Sequence, residues 1–74
     1  MKSDAIVRMA NQIASFFAAY PREQAVTETA AHIRSFWDPR MRAQLQAHLE
    51  AGGDGLDPIV REAAEMLRPA PVSP

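Results

Sequence analysis

The chain of 74 residues contains no cysteine, and this absence excludes several kinds of site. Without thiols the chain forms no disulfide, and its own side chains supply neither a thiolate zinc site nor an iron–sulfur cluster. A chain of this length buries only about 60% of the surface that it exposes when unfolded. Small domains of this kind are commonly stabilised by crosslinks, a metal or a partner. We therefore expect a partner to supply part of the stability.

The sequence also lacks a long apolar run and a dominant charge. No stretch approaches the roughly 20 apolar residues that a membrane-spanning helix needs. The formal net charge is −1 and the pI is about 6.0, so the chain has no overall attraction to nucleic acid or to anionic lipid. The N-terminal residues lead directly into an amphipathic pattern and lack the features of a secretory signal. We expect a cytoplasmic protein that contacts neither membrane nor nucleic acid.

Apolar residues at spacings of three and four predict a first helix that ends near Tyr20. Pro21 forbids its continuation and suits the start of a second helix. The predicted inner face of the first helix consists of Ile6, Met9, Ile13, Phe16 and Tyr20. That of the second consists of Val26, Ala30, Ile33 and Trp37. Because the connection between the two helices is short, we expect them to be antiparallel neighbours.

Two Asp-Pro pairs predict the starts of two further helices. Aspartate is a preferred N-cap and proline a preferred first helical residue, so Asp38-Pro39 and Asp57-Pro58 each favour a helix start. The third helix is predicted from Pro39 to Glu50, with a left-handed C-cap at Gly52-Gly53. The sequence thus predicts an all-α fold, a small antiparallel bundle of three main helices and a short fourth one. Residues 4–68 form one domain, and the Pro-rich residues 69–74 form a disordered tail.

No arrangement of residues in the sequence indicates catalysis. Glu28 and His32 are four residues apart and could share a helix face, but zinc requires three or four protein ligands, and His48 lies on another helix. Ser15 and Ser35 have no adjacent histidine–acid pair. The cluster Gly52-Gly53-Asp54-Gly55 lacks the strand and spacing of a nucleotide-binding loop. We therefore expect no catalytic, cofactor-binding or metal-binding residue in this chain.

The basic residues near the only tryptophan indicate a docking site. Between Thr29 and Leu49 the ionised side chains are three arginines and one aspartate, so this third of the chain carries a charge of +2. Tryptophan and arginine are frequent among the residues that dominate interface energies. Trp37 is more readily interpreted as core packing than as a contact for a partner. The predicted partner-binding residues are Trp37, Arg40, Arg42, Arg34 and Phe36.

Three motifs resemble a known family. They are Arg8-Met9-Ala10-Asn11-Gln12-Ile13 followed by Phe16-Phe17, then Phe36-Trp37-Asp38-Pro39-Arg40-Met41-Arg42, and then Gly55-Leu56-Asp57-Pro58. In this order and spacing they resemble the small delta subunit of bacterial NAD-dependent molybdenum formate dehydrogenases. The resemblance extends from about Ile6 to Leu67.

The resemblance implies an accessory subunit of an enzyme complex, without an active site of its own. The large catalytic subunit would be its partner and would hold bis-molybdopterin guanine dinucleotide and iron–sulfur clusters. Other subunits would carry FMN and the NAD site, and this chain would hold no cofactor.

The sequence leaves three alternatives open. The chain could be a transient assembly chaperone for the large subunit. A more distant alternative is a small self-associating helical regulator that binds nucleic acid, although its third helix offers only Arg40 and Arg42 as cations. The isolated chain could also form a homodimer.

Overall fold

The computed structural model describes residues 3–68, and that range contains four α-helices and no strand. Helix α1 spans Ser3–Phe17, α2 spans Arg22–Phe36, α3 spans Pro39–Glu50 and α4 spans Pro58–Leu67. The prediction of an all-α fold with a short last helix is confirmed. The predicted Pro-rich tail, residues 69–74, lies outside the described residues.

Helices α3 and α4 each begin at an Asp-Pro pair, as predicted, and the aspartate caps the helix. The Asp38 carboxylate accepts a hydrogen bond of 2.9 Å from the backbone N–H of Met41. The Asp57 carboxylate accepts one of 2.9 Å from the N–H of Ile59. In each helix a proline occupies the first position, where no N–H is required. Both predicted starts are therefore confirmed.

Helix α3 ends in the double hydrogen bond of a Schellman motif. The N–H of Gly53 donates to the carbonyl of His48 (2.9 Å), and the N–H of Gly52 donates to that of Leu49 (3.1 Å). Gly52 and Gly53 have φ angles of 119° and 65°, which residues with a Cβ rarely adopt. The predicted glycine C-cap is confirmed.

The inner face of α1 differs from the prediction. Ile6, Ala10 and Ala14 are fully buried, whereas Phe16 is 75% exposed and Tyr20 is exposed beyond the end of the helix at Phe17. The expectation that Phe16 and Tyr20 lie on the inner face is therefore wrong. Because alanine side chains are small, the rest of the fold approaches α1 closely at Ala10 and Ala14. The side of α1 that carries these alanines therefore faces inward, and Phe16 faces outward.

The buried residues form two clusters. The larger one joins all four helices through Ile6, Ile33, Leu45 and Val60, and includes Trp37 and Leu56. A smaller one packs Val26 and Ala30 of α2 against Ala63 of α4. An ion pair between Arg22 and Glu62 also links these two helices at the surface. Helix α4 therefore packs along α2, a pairing that the sequence periodicity does not indicate.

Three side chains from three helices hold the connection between α3 and α4, residues 51–57. The Asn11 amide donates to the carbonyl of Gly55 and accepts from the N–H of Asp57, both at 2.9 Å. His48 Nε2 donates to the carbonyl of Asp54 at 2.7 Å. The Arg61 guanidinium donates to the carbonyls of Gly52 and Gly53. The loop is thus fixed to α1, α3 and α4 together.

Replacing Asn11 should loosen this connection. Asn11→Ala removes both hydrogen bonds and leaves the N–H of Asp57, which is only partly exposed, without its acceptor. We expect the free energy of unfolding to fall by about 2 kcal/mol. Ser15→Ala, at an exposed position of the same helix, is the control and should change it little. Equal denaturant midpoints for the two variants would contradict the proposed role of Asn11.

Thr29 offers a second stability test. Its side chain is fully buried, and its hydroxyl has no hydrogen-bond partner among residues 3–68. Thr29→Val keeps the shape and removes the unsatisfied hydroxyl, so we expect it to raise the free energy of unfolding by about 1 kcal/mol. Thr27→Val is the matched control, because the exposed Thr27 hydroxyl donates to the carbonyl of Glu23. A lower thermal midpoint for Thr29→Val than for the wild type would show that the hydroxyl is satisfied.

Candidate docking surface

Aromatic rings from α1 and α2 form a continuous cluster, in which Phe16 and Phe36 are exposed and the two rings between them are half-buried. The rings of Phe16 and Phe17 pack edge to face, with centroids 5.0 Å apart. Phe17 lies 6.4 Å from the His32 ring, which in turn lies 4.6 Å from the Phe36 ring. Such geometries are favourable for aromatic pairs. We call these four residues the aromatic cluster.

A groove of about 470 Å³ opens beside the aromatic cluster. Its lining comes from Met9, Gln12, Ile13, Phe16, Phe17, His32 and Trp37. Helix α1 supplies its apolar wall, because residues 9, 13 and 16 recur at three- and four-residue spacing on one side of the helix. The polar groups of the lining are the Gln12 amide, the His32 ring and the indole N–H of Trp37.

Two of the five predicted partner-binding residues lie at this surface. Trp37 is 6% exposed and forms part of the groove lining from within the core. Phe36, in the last turn of α2, is 74% exposed and stacks on His32. The adjacent aromatics therefore have different environments, and Phe36 is the one whose ring is available to a partner.

The three predicted arginines are not gathered on one face. Arg34 and Arg40 are exposed and Arg42 is half-buried, and none forms an ion pair with a residue in the range 3–68. Arg40 and Arg42 are two residues apart, which places them roughly 200° apart around α3. Arg42 lines a depression with Leu67 at the contact of α3 with α4. Arg40 therefore points away from α4.

The remaining ionisable residues form no candidate metal centre in the described range. Among residues 3–68 no three histidine, aspartate or glutamate side chains are placed to share an ion. The His32 ring, considered with Glu28 as half of a site, instead lies between Phe17 and Phe36. No helix within the same residues is long and apolar enough to cross a bilayer.

A family model described as NADH-dependent formate dehydrogenase delta subunit FdsD matches residues 5–64. The chain belongs to this family. The match covers most of the chain and includes all three motifs, so the resemblance seen in the sequence is confirmed. Searches of curated proteins and of solved structures returned no match.

The structure separates the motif residues of this delta subunit by role. Asn11 and the segment Gly55–Asp57 bind each other, although 44 residues or more separate them along the chain. Asp38 caps α3 through its side chain. These residues maintain the fold, whereas Phe16 and Phe36 are mostly exposed and have no comparable structural role.

The predicted partner-binding residues include none from α1, although this helix supplies most of the groove lining. The spacing of Met9, Ile13 and Phe16 predicts a buried helix face. Met9 and Ile13 do pack against the larger buried cluster, whereas Phe16 is mostly exposed. The signal for the other face is the series Ile6, Ala10 and Ala14, which is spaced by four residues throughout and has smaller side chains. In a fold this small, a helix with two rows of apolar side chains can bury only one row fully.

Proposed function

We propose that this delta subunit is a non-catalytic accessory subunit that binds and stabilises the large molybdopterin- and iron–sulfur-containing subunit of a cytoplasmic NAD-dependent formate dehydrogenase. The aromatic cluster and the adjoining groove form the docking surface. The exposure of two phenylalanines on one surface of a family member is the observation that supports this proposal most. In this proposal molybdenum cofactor, iron–sulfur clusters and FMN belong to other subunits.

Phe16 and Phe36 expose apolar ring surface that a partner could bury. Fully burying a phenylalanine side chain stabilises by about 1.5–3 kcal/mol relative to leaving it in water. Both rings are about three-quarters exposed in the free chain, so most of that stabilisation is still available for binding. Phe16 packs against Phe17 and Phe36 against His32, which limits the rotamers of both exposed rings in the free chain. Binding therefore loses less side-chain entropy. The aromatic cluster is therefore suited to become the apolar centre of an interface.

A second candidate function is transient assistance in assembly. A chaperone would use the same aromatic cluster to hold the immature large subunit and would leave once cofactor insertion is complete. The two roles differ in the stoichiometry of the mature complex. One delta subunit per large subunit in active enzyme supports the accessory role, and its absence from active enzyme supports the chaperone role.

The first test is retention of the large subunit. A tagged delta subunit co-expressed with the other subunits should retain the large subunit through purification, and deletion should lower formate-dependent NAD reduction. Failure to retain it, together with unchanged activity after deletion, would refute both candidate functions.

The second test locates the docking surface. Phe16→Ser with Phe36→Ser should reduce retention of the large subunit at least tenfold, because it removes both exposed rings from the interface. Met66→Ser, at a position 51% exposed on α4, is the matched control and should retain it normally. Helix content measured by circular dichroism should be unchanged in both proteins. Normal retention by the double variant would show that docking occurs elsewhere.

A further inference from the structure

We infer that His32 makes docking sensitive to pH: the delta subunit binds the large subunit while this imidazole is neutral, and protonation of the ring weakens binding. This inference concerns the regulation of the proposed docking surface, so it rests on the proposed function. It follows from the place of His32 in the aromatic cluster, from the composition of the groove and from the positions of the charged side chains nearby.

The His32 ring lies between two phenylalanine rings of the aromatic cluster. Its centroid is 4.6 Å from that of Phe36, at an interplanar angle of 34°, and 6.4 Å from that of Phe17. The His32 side chain is half-buried in the free chain, so part of it still contacts water. Because Phe36 is 74% exposed and packs against His32, a partner that buries Phe36 also covers the imidazole.

His32 is the group in the groove whose charge depends on pH near neutrality. The other described residues of the lining are apolar or aromatic, apart from the uncharged amide of Gln12. Histidine changes its charge between about pH 5 and about pH 8. The charge of the groove lining therefore depends on one ring.

Covering the His32 ring favours its neutral form. Removal from water disfavours an imidazolium ion far more than a neutral imidazole. The neighbouring phenylalanine rings attract a cation, but this attraction is weaker than the cost of removing an ion from water. The centres of protein interfaces are generally depleted of charged residues, so we expect uncharged partner groups opposite these rings. Such a partner binds the neutral form more tightly.

The charged residues of α2 and of the start of α3 form no ion pair with His32 in the described range. Glu28 lies one turn before His32 and is exposed, so water weakens its attraction for the ring. Arg34, two residues after His32, lies roughly 200° around α2. Asp38 is exposed at the start of α3, where its carboxylate accepts the N–H of Met41.

The charged residues of α1 lie far along that helix from Phe17, the ring that faces His32. They are Asp4 and Arg8, and Arg8 is roughly 13 Å from Phe17 along the helix axis. Tyr20 lies beyond Phe17, at a centroid distance of 6.0 Å, and a tyrosine is uncharged near neutral pH. The described elements around His32 thus provide no close counter-ion for a charged ring.

The affinity of the purified delta subunit for the large subunit, measured at two pH values, tests the inference. The wild-type Kd should be roughly tenfold higher at about pH 5.5 than at about pH 7.5, because binding that requires a neutral histidine weakens as pH falls below about 6.5. His32→Phe keeps an aromatic ring and removes the titrating group. Its Kd should therefore be low at both pH values and change by less than about threefold.

His48→Gln is the matched control, because His48 is the other histidine of the chain and lies on α3 outside the groove lining. Its Nε2 bonds to the carbonyl of Asp54, and a glutamine amide can donate a similar hydrogen bond. This variant should keep the wild-type pH dependence. Since all variants meet the same large subunit, any titration of that subunit affects them equally.

A second pair of variants separates charge from ring packing. His32→Lys and His32→Gln both remove the ring, and they differ in charge. At about pH 7.5, His32→Lys should bind roughly tenfold more weakly than His32→Gln, because only the lysine brings a positive charge into the covered surface. Equal affinities would contradict the role assigned to charge.

The possible outcomes distinguish the inference from the proposed function. Equal wild-type affinity at both pH values, or the same pH dependence in the wild type and in His32→Phe, would overturn the inference and leave the proposed function standing. Tighter wild-type binding at the lower pH, abolished by His32→Phe, would also overturn it, because a partner carboxylate would then pair with the charged ring. Absence of wild-type binding at either pH would instead refute the proposed function.

Discussion

The amide of Asn11 is the contact on which the arrangement of the helices depends. It binds the carbonyl of Gly55 and the N–H of Asp57, so a single side chain of α1 fixes both the end of the loop and the start of α4. Because Asp57 also caps α4, the position of that helix is coupled to the position of α1. In a chain without disulfides, this polar contact between distant segments complements a small apolar core.

The orientation of α1 determines which aromatic side chains are exposed to solvent. With Ala10 and Ala14 against the rest of the fold, Phe16 lies outside, with its ring against that of Phe17. The aromatic cluster continues from there to His32 and Phe36, and Trp37 lines the adjoining groove from the core side. The exposed aromatic surface is thus a direct consequence of how α1 packs.

The sequence predicted the parts of this fold that local chemistry controls. The Asp-Pro caps and the glycine C-cap marked the ends of α3 and the start of α4, because each satisfies backbone groups within a few residues. Burial was harder to predict, since Ile6-Ala10-Ala14 and Met9-Ile13-Phe16 are both consistent with a buried helix face. The choice between them depends on tertiary packing against α2, α3 and α4. The sequence predicts Arg40 and Arg42 together as partner-binding residues. Helix geometry places them on different sides of α3, and the contact of Arg42 with the depression beside Leu67 depends on tertiary packing.

In the proposed complex, α1 and the end of α2 present one aromatic surface to the large subunit. Hydrogen–deuterium exchange of the delta subunit, free and bound to the large subunit, tests it most directly. Binding through this surface should slow exchange in residues 9–17 and 32–37 and leave exchange in α4 unchanged. Protection confined to α4, with residues 9–17 and 32–37 exchanging as in the free chain, would contradict it.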